Sequence, residues 1–98
     1  MKVELNPEVY SDLLEIVQFY YDSDDTVLAA DFYVEFRKFV DEMAVRPQSF
    51  PKQGNCYRRV NLKRFPFHIL FRKVDNKTLR ILVVKHNHRD PRFGLDRH

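Results

Sequence analysis

Residues 57–89 read YRRVNLKRFPFHILFRKVDNKTLRILVVKHNHR, and the spacing of apolar side chains in this stretch decides the fold class. Three apolar runs, Val60–Leu62, Phe67–Phe71 and Leu79–Val84, are split by Pro66 and by Asp75-Asn76-Lys77. Runs of this length with turn residues between them predict a three-stranded antiparallel meander with one short hairpin. In the middle run Phe67, Ile69 and Phe71 point one way and His68, Leu70 and Arg72 the other, so one sheet face can be buried while the other displays a basic rim. In the last run Leu82 and Val84 blur this alternation. A central strand, a strand covered at its end, or a bulge that shifts the parity would each account for that.

Upstream, Val3-Glu4-Leu5 is a short strand candidate, and Asn6-Pro7 is a helix start, with Asn at the cap and Pro at the first helical position. From Glu8 to about Tyr21, Val9, Leu13, Ile16, Val17 and Tyr20 recur at three- and four-residue spacing, which predicts an amphipathic helix. Asp22-Ser23-Asp24-Asp25 interrupts it and caps a second helix from Thr26 to about Ala44. The apolar stripe of that helix comprises Ala29, Phe32 or Tyr33, Phe36, Phe39, Val40 and Met43. So short a connection makes the helices antiparallel neighbours. Residues 46–55, RPQSFPKQGN, read as a linker without periodicity. The expected architecture is therefore a single α+β domain over residues 1–98. A short strand and helical hairpin (1–45) pack on a small, mostly antiparallel sheet in the order β-α-α-β-β-β, the meander occupies 56–86, and a tail occupies 87–98. The Phe67-Ile69-Phe71 face is expected to lie under the hairpin, and the tail either to wrap the edge of the basic face or to fray.

The 98 residues carry a formal net charge of +3, but the distribution is uneven. Residues 1–51 hold four Lys/Arg against eleven Asp/Glu, and residues 52–98 hold thirteen against three, so the halves carry −7 and +10. All four histidines fall in the basic half. Nucleic-acid backbones and acidic protein segments are the partners of such a half. Arg59, Lys63, Arg64, Arg72, Arg80 and Arg89 are its candidate phosphate- or acid-binding cations. The single cysteine, Cys56, excludes an internal disulfide and a cysteine-based metal cluster, and neither a signal peptide nor a spanning apolar segment is visible, which points to the cytoplasm and away from membranes. His86 and His88 share a side of an extended chain, but spacing supplies no third ligand, so neither metal nor cofactor is expected. His68 is expected on the solvent side of its strand or partly buried. A histidine titrating near neutrality beside arginines could move protons on RNA, with the 2′-hydroxyl as nucleophile.

The run Tyr57 to Pro91, preceded by a helical hairpin and a proline-rich linker, resembles the RelE/ParE superfamily of bacterial toxin–antitoxin toxins, most closely its ParE branch. The likeness covers nearly the whole chain. It rests on the basic first strand, the Phe65-Pro66-Phe67 turn into an apolar strand, and the His86-x-x-Arg89-Asp90-Pro91 ending. It implies a small sheet packed on a helical pair and neutralisation by a cognate antitoxin. Two activities occur under this fold: ParE-type members poison DNA gyrase, and RelE-type members cleave mRNA on the ribosome. At the positions of the RelE-type nuclease residues this sequence has Arg59 and Asn61, His68, His88, and Gly94 with Phe93 beside it. The C-terminal tyrosine of that mechanism is absent. The resemblance thus implies a toxin directed at gyrase, with Arg89, Asp90, Arg92 and Phe93 as a target-contact tail and Arg89 with Asp90 also available as a salt link holding it. The alternatives are a ribosome-dependent mRNA endoribonuclease with His68 and His88 as acid/base groups, and a non-toxic nucleic-acid-binding module.

Overall fold

The computed structural model describes all of residues 1–98. The chain runs β1 (Lys2–Leu5), α1 (Glu8–Asp22), α2 (Thr26–Val45), a 3₁₀ turn (Pro47–Ser49), β2 (Lys52–Gln53), β3 (Tyr57–Asn61), β4 (Phe67–Lys73) and β5 (Thr78–His86). The five strands form one sheet in the order β1-β5-β4-β3-β2. Only the β1–β5 pair is parallel; the others are antiparallel. The helical hairpin packed on a mostly antiparallel sheet is as the sequence predicts. The proline-rich segment differs from expectation. It holds the 3₁₀ turn and the two-residue strand β2, because Lys52 and Gln53 find backbone partners opposite Arg58 and Tyr57 that no periodicity in ten residues announces.

Both helix starts are set by side chains. Asn6 Oδ1 accepts from the Glu8 N–H at 2.9 Å, and Asp25 accepts from the Leu28 N–H at 3.1 Å, each satisfying a donor that the first turn leaves free. Between the helices Asp24 takes a φ of 58°, a left-handed conformation that Asp tolerates better than branched residues. The faces turned inward meet Phe67, Ile69 and Phe71, all buried. Phe32 lies edge-on to Phe65 and Phe67 at 5.5 and 5.6 Å between centroids, and Tyr20 edge-on to Phe65 at 5.5 Å. Edge-to-face packing adds to the roughly 1.5–3 kcal/mol that burying each large apolar side chain contributes. Phe36, Phe39 and Val40 are buried, with Leu13 and Val17 packed on the same cluster from α1; Tyr33, the alternative to Phe32, faces solvent.

The blurred parity of the last strand is a bulge. Leu70 pairs with Val83 but Phe71 pairs with Ile81, leaving Leu82 as an extra residue in β5. Leu79, Ile81 and Val84 consequently stay in the main core, while Leu82 and Val83 join Leu70 on the opposite face. That second face is not open. Tyr57 and the tail residues Phe93 and Leu95 pack on Leu70, Leu82 and Val83. The expected basic rim is thereby reduced to the strand ends and turns, because three apolar residues on one face require a cover. Gly94 makes the close approach possible. Its φ is +85°, and a Cβ there would lie 2.7 Å from Val83 Cβ, a clash that only glycine avoids. No helix is long and apolar enough to cross a membrane.

Candidate functional site

The C-terminal tail is the candidate site, and two buried cations hold it. Lys85, 4% exposed, sends Nζ to the carbonyls of Asp90, Pro91 and Phe93 at 3.3, 2.9 and 2.9 Å. Burial pushes its pKa below the ordinary lysine value, while three converging carbonyls supply the acceptors that its ammonium has lost in water. Arg97 reaches back to α1, where it meets both Asp12 carboxylate oxygens at 2.6 and 3.1 Å, Glu8 at 2.7 Å and the Leu82 carbonyl at 3.1 Å. The hydrogen bonds to Asp12 hold the guanidinium pKa above its usual value. Asp12 also accepts from the Val84 N–H at 3.1 Å. One carboxylate therefore fixes α1, β5 and the tail together. Asn6 adds a third tie through its amide N–H to the His98 carbonyl at 2.6 Å.

Between these anchors the Phe93 ring has the Arg89 guanidinium 3.9 Å from its centroid and that of Arg97 at 5.0 Å. Arg89, Asp90 and Arg92 are exposed and Phe93 half-buried, on a segment that the Lys85 contacts hold in place. Arg89 and Asp90 form no ion pair with each other. Asp90 instead caps its own turn, accepting from the Arg92 N–H at 2.9 Å, with Arg92 Nε at 3.8 Å. Arg89 finds its partner in an aromatic face, a favourable site for a planar cation.

The two histidines of the nuclease alternative occupy different surroundings. His68 is 3% exposed rather than solvent-facing, since the tail and its neighbours close over this side of β4. Its Nδ1 lies 2.9 Å from Asn87 Oδ1, and Nε2 is buried with no partner. Burial pushes its pKa below the ordinary histidine value, and the nearby charges of Arg59, Lys85 and His86 act in the same direction against the Asn87 hydrogen bond. The imidazole is consequently neutral at pH 7. His88 is exposed, and its ring lies beside that of His86, 5.4 Å between centroids and tilted by 34°. His86 Nδ1 accepts from the His88 N–H at 3.0 Å, which commits one nitrogen of the His-x-His pair.

The remaining candidate cations differ in how free they are. Arg59 donates to Asn61 at 2.8 Å and Gln53 at 3.3 Å. Arg64 pairs with Asp31 at 3.2 Å, and its backbone N–H is 3.3 Å from each Glu35 carboxylate oxygen. Arg80 pairs with Glu4 at 3.0 Å and stands opposite Arg72 across β4 and β5. Lys63 is exposed without a carboxylate partner. Lys85, Asp12 and Asn87 escape a reading based on candidate cations. Asp12 left a signal, a carboxylate on the apolar side of the first helix between Val9 and Ile16, but its partner 85 residues away did not.

Comparisons with known proteins agree with this architecture. A family model described as the ParE toxin of type II toxin-antitoxin systems, parDE, matches residues 3–91. Among solved structures, one titled as the chromosomal ParDE toxin–antitoxin system from P. aeruginosa is similar with a TM-score of 0.73 and 24% identity, covering 88% of this chain and 95% of that one. No curated protein matches the sequence. With the family model spanning β1 to the start of the tail, on a fold that the solved structure shares, the chain belongs to the ParE toxin family of type II toxin–antitoxin systems.

Proposed function

We propose that this ParE-family chain arrests growth in the cytoplasm by poisoning DNA gyrase and is held inactive by a cognate antitoxin. Arg89, Asp90, Arg92 and Phe93 would present the target-contact surface. The observation that carries this choice over mRNA cleavage is the state of His68. A general acid or base must come within hydrogen-bond reach of its substrate, whereas both ring nitrogens of His68 are enclosed and its proton-binding form is disfavoured by burial. His88 lies beside His86 and makes no hydrogen bond to His68, and Arg59 is turned toward Asn61 and Gln53. Poisoning through a protein contact needs none of these groups. It needs a fixed surface with an aromatic and a cation at its centre, and Phe93 under Arg89 supports that role.

The test is a pair of parallel assays with the purified chain. With gyrase and supercoiled DNA, trapped cleaved complexes are expected, and they should persist in His88→Ala but be lost in Arg89→Glu. With programmed ribosomes, intact mRNA is expected. Codon-register mRNA cleavage that disappears in His88→Ala, with gyrase unaffected, would overturn the proposal.

A further inference from the structure

A groove of about 450 Å³ opens between α1 and the end of β5, beside the tail. That is within the size range of pockets which bury most of a bound group. Its floor is apolar, built from Ile16, Tyr20, Phe67 and Val84. Phe19 stands on one wall and is 63% exposed, an aromatic that the core has not taken up even though it sits edge-on to Tyr20 at 5.4 Å.

The charges around this groove are asymmetric. On the α1 side Asp12 is fully engaged by Arg97, and Glu15 is exposed. On the β5 side Lys85 is spent on three carbonyls, so the cation left facing outward is Arg89, whose guanidinium meets only the Phe93 ring. An occupant that fits this arrangement carries a large apolar side chain for the floor, a carboxylate on the β5 side and a donor on the α1 side. Opposite charges on the two rims fix the direction in which a segment lies, since the reversed placement sets like charges together.

We propose that this groove is the docking pocket for one apolar anchor of the antitoxin, carried on an acidic segment whose carboxylate pairs with Arg89. The assignment rests on the toxin reading above and goes beyond it by naming the pocket and the chemistry of the segment. An antitoxin is favoured over the toxic target because the outward Arg89 guanidinium calls for a carboxylate on the segment that docks beside it. A partner that must keep the toxin silent also gains most from a buried anchor, which slows dissociation. Neutralisation then follows from geometry: a segment paired with Arg89 covers the tail surface that the target contact requires.

The experiment uses the full chain co-expressed with the antitoxin encoded in the adjoining reading frame. A photo-crosslinking residue is placed at Phe19 and, separately, at Leu14 on the outer flank of α1; both positions are exposed, so folding is retained and is checked by circular dichroism. The Phe19 probe is expected to capture an antitoxin residue next to an Asp or Glu and a large apolar side chain. Phe19→Asp should speed antitoxin dissociation roughly thirtyfold, the scale of a hot-spot truncation, and Arg89→Glu should slow association. Capture from Leu14 alone, or wild-type dissociation in Phe19→Asp, overturns the pocket. Loss of gyrase poisoning in Phe19→Asp with antitoxin kinetics unchanged also overturns it and gives the groove to the target. Should the unmodified chain neither bind that antitoxin nor arrest growth, it is the toxin reading that fails.

Discussion

Asp12 and Arg97 stand 85 residues apart in the chain and 2.6 Å apart in the fold, with side chains only 6% and 9% exposed. Removing one partner of such a pair strands the other charge away from water, at a cost of about 3–5 kcal/mol. Arg97→Ala is therefore expected to lower stability by about that amount, read from the urea midpoint, and Asp12→Asn should cost less than Asp12→Leu, because an amide oxygen still accepts from Arg97 and from the Val84 N–H while leucine offers neither donor an acceptor. His68 gives a second residue-scale expectation. Its folded-state pKa lies below the ordinary value of 6.5, so the unfolded chain takes up the proton first as pH falls. Stability is complete above about pH 6.5 and declines below it, the unfolded state binding more protons there. The depressed carboxyls of Glu4 and Asp75 act in the same sense, but only below the ordinary carboxylate values of 4.5 and 3.8. Comparing urea midpoints at pH 7.5 and 5.5 should show the loss in the natural chain and its absence in His68→Gln; an equal loss in both would assign it elsewhere.

At the scale of elements, the sequence was legible wherever one periodicity ran long enough to be counted. Both helices, their caps at Asn6 and Asp25, and the three meander strands follow from spacing and turn chemistry alone. Spacing could not choose among the readings of the last strand, because a bulge, a central position and a covered end all place apolar residues on both faces, and β5 combines the three. The tail was the least legible element. Residues 90–98 have no stripe, and what seats them is a lysine inside β5, an aspartate on α1 and a glycine pressed on Val83. Phe93 and Leu95 nevertheless cover Leu70, Leu82 and Val83, and burial of two such side chains is worth roughly 1.5–3 kcal/mol each. A chain ending at His88 is accordingly expected to lose several kcal/mol, from these two contacts and the Asp12 tie, and to bind a hydrophobic dye. Thermal unfolding at an unchanged midpoint would show that the tail is an ornament rather than part of the fold.

Across the whole molecule, the uneven charge of the two halves survives folding only in part. Arg64 is drawn to Asp31 and Glu35 on α2, Arg80 to Glu4 on β1, and Arg97 to Asp12 and Glu8 on α1, so acidic residues of the first half cover basic residues of the second. The sequence predicts a field but not which charges remain to produce it, because that depends on contacts between residues far apart in the chain. Long-range attraction of an acidic partner depends on charges not already neutralised nearby. Replacing Arg89 and Lys63, neither of which has a carboxylate partner, by Ala is therefore expected to slow antitoxin association and flatten its dependence on ionic strength, whereas replacing Arg64 and Arg80 removes the same formal charge with a smaller effect. Stopped-flow association between about 50 and 300 mM salt, a range over which the screening length falls through roughly 10 Å, gives the two slopes. Equal slopes for the two double variants would mean that net charge alone steers the encounter and that the internal pairing of Arg64 and Arg80 has no bearing on it.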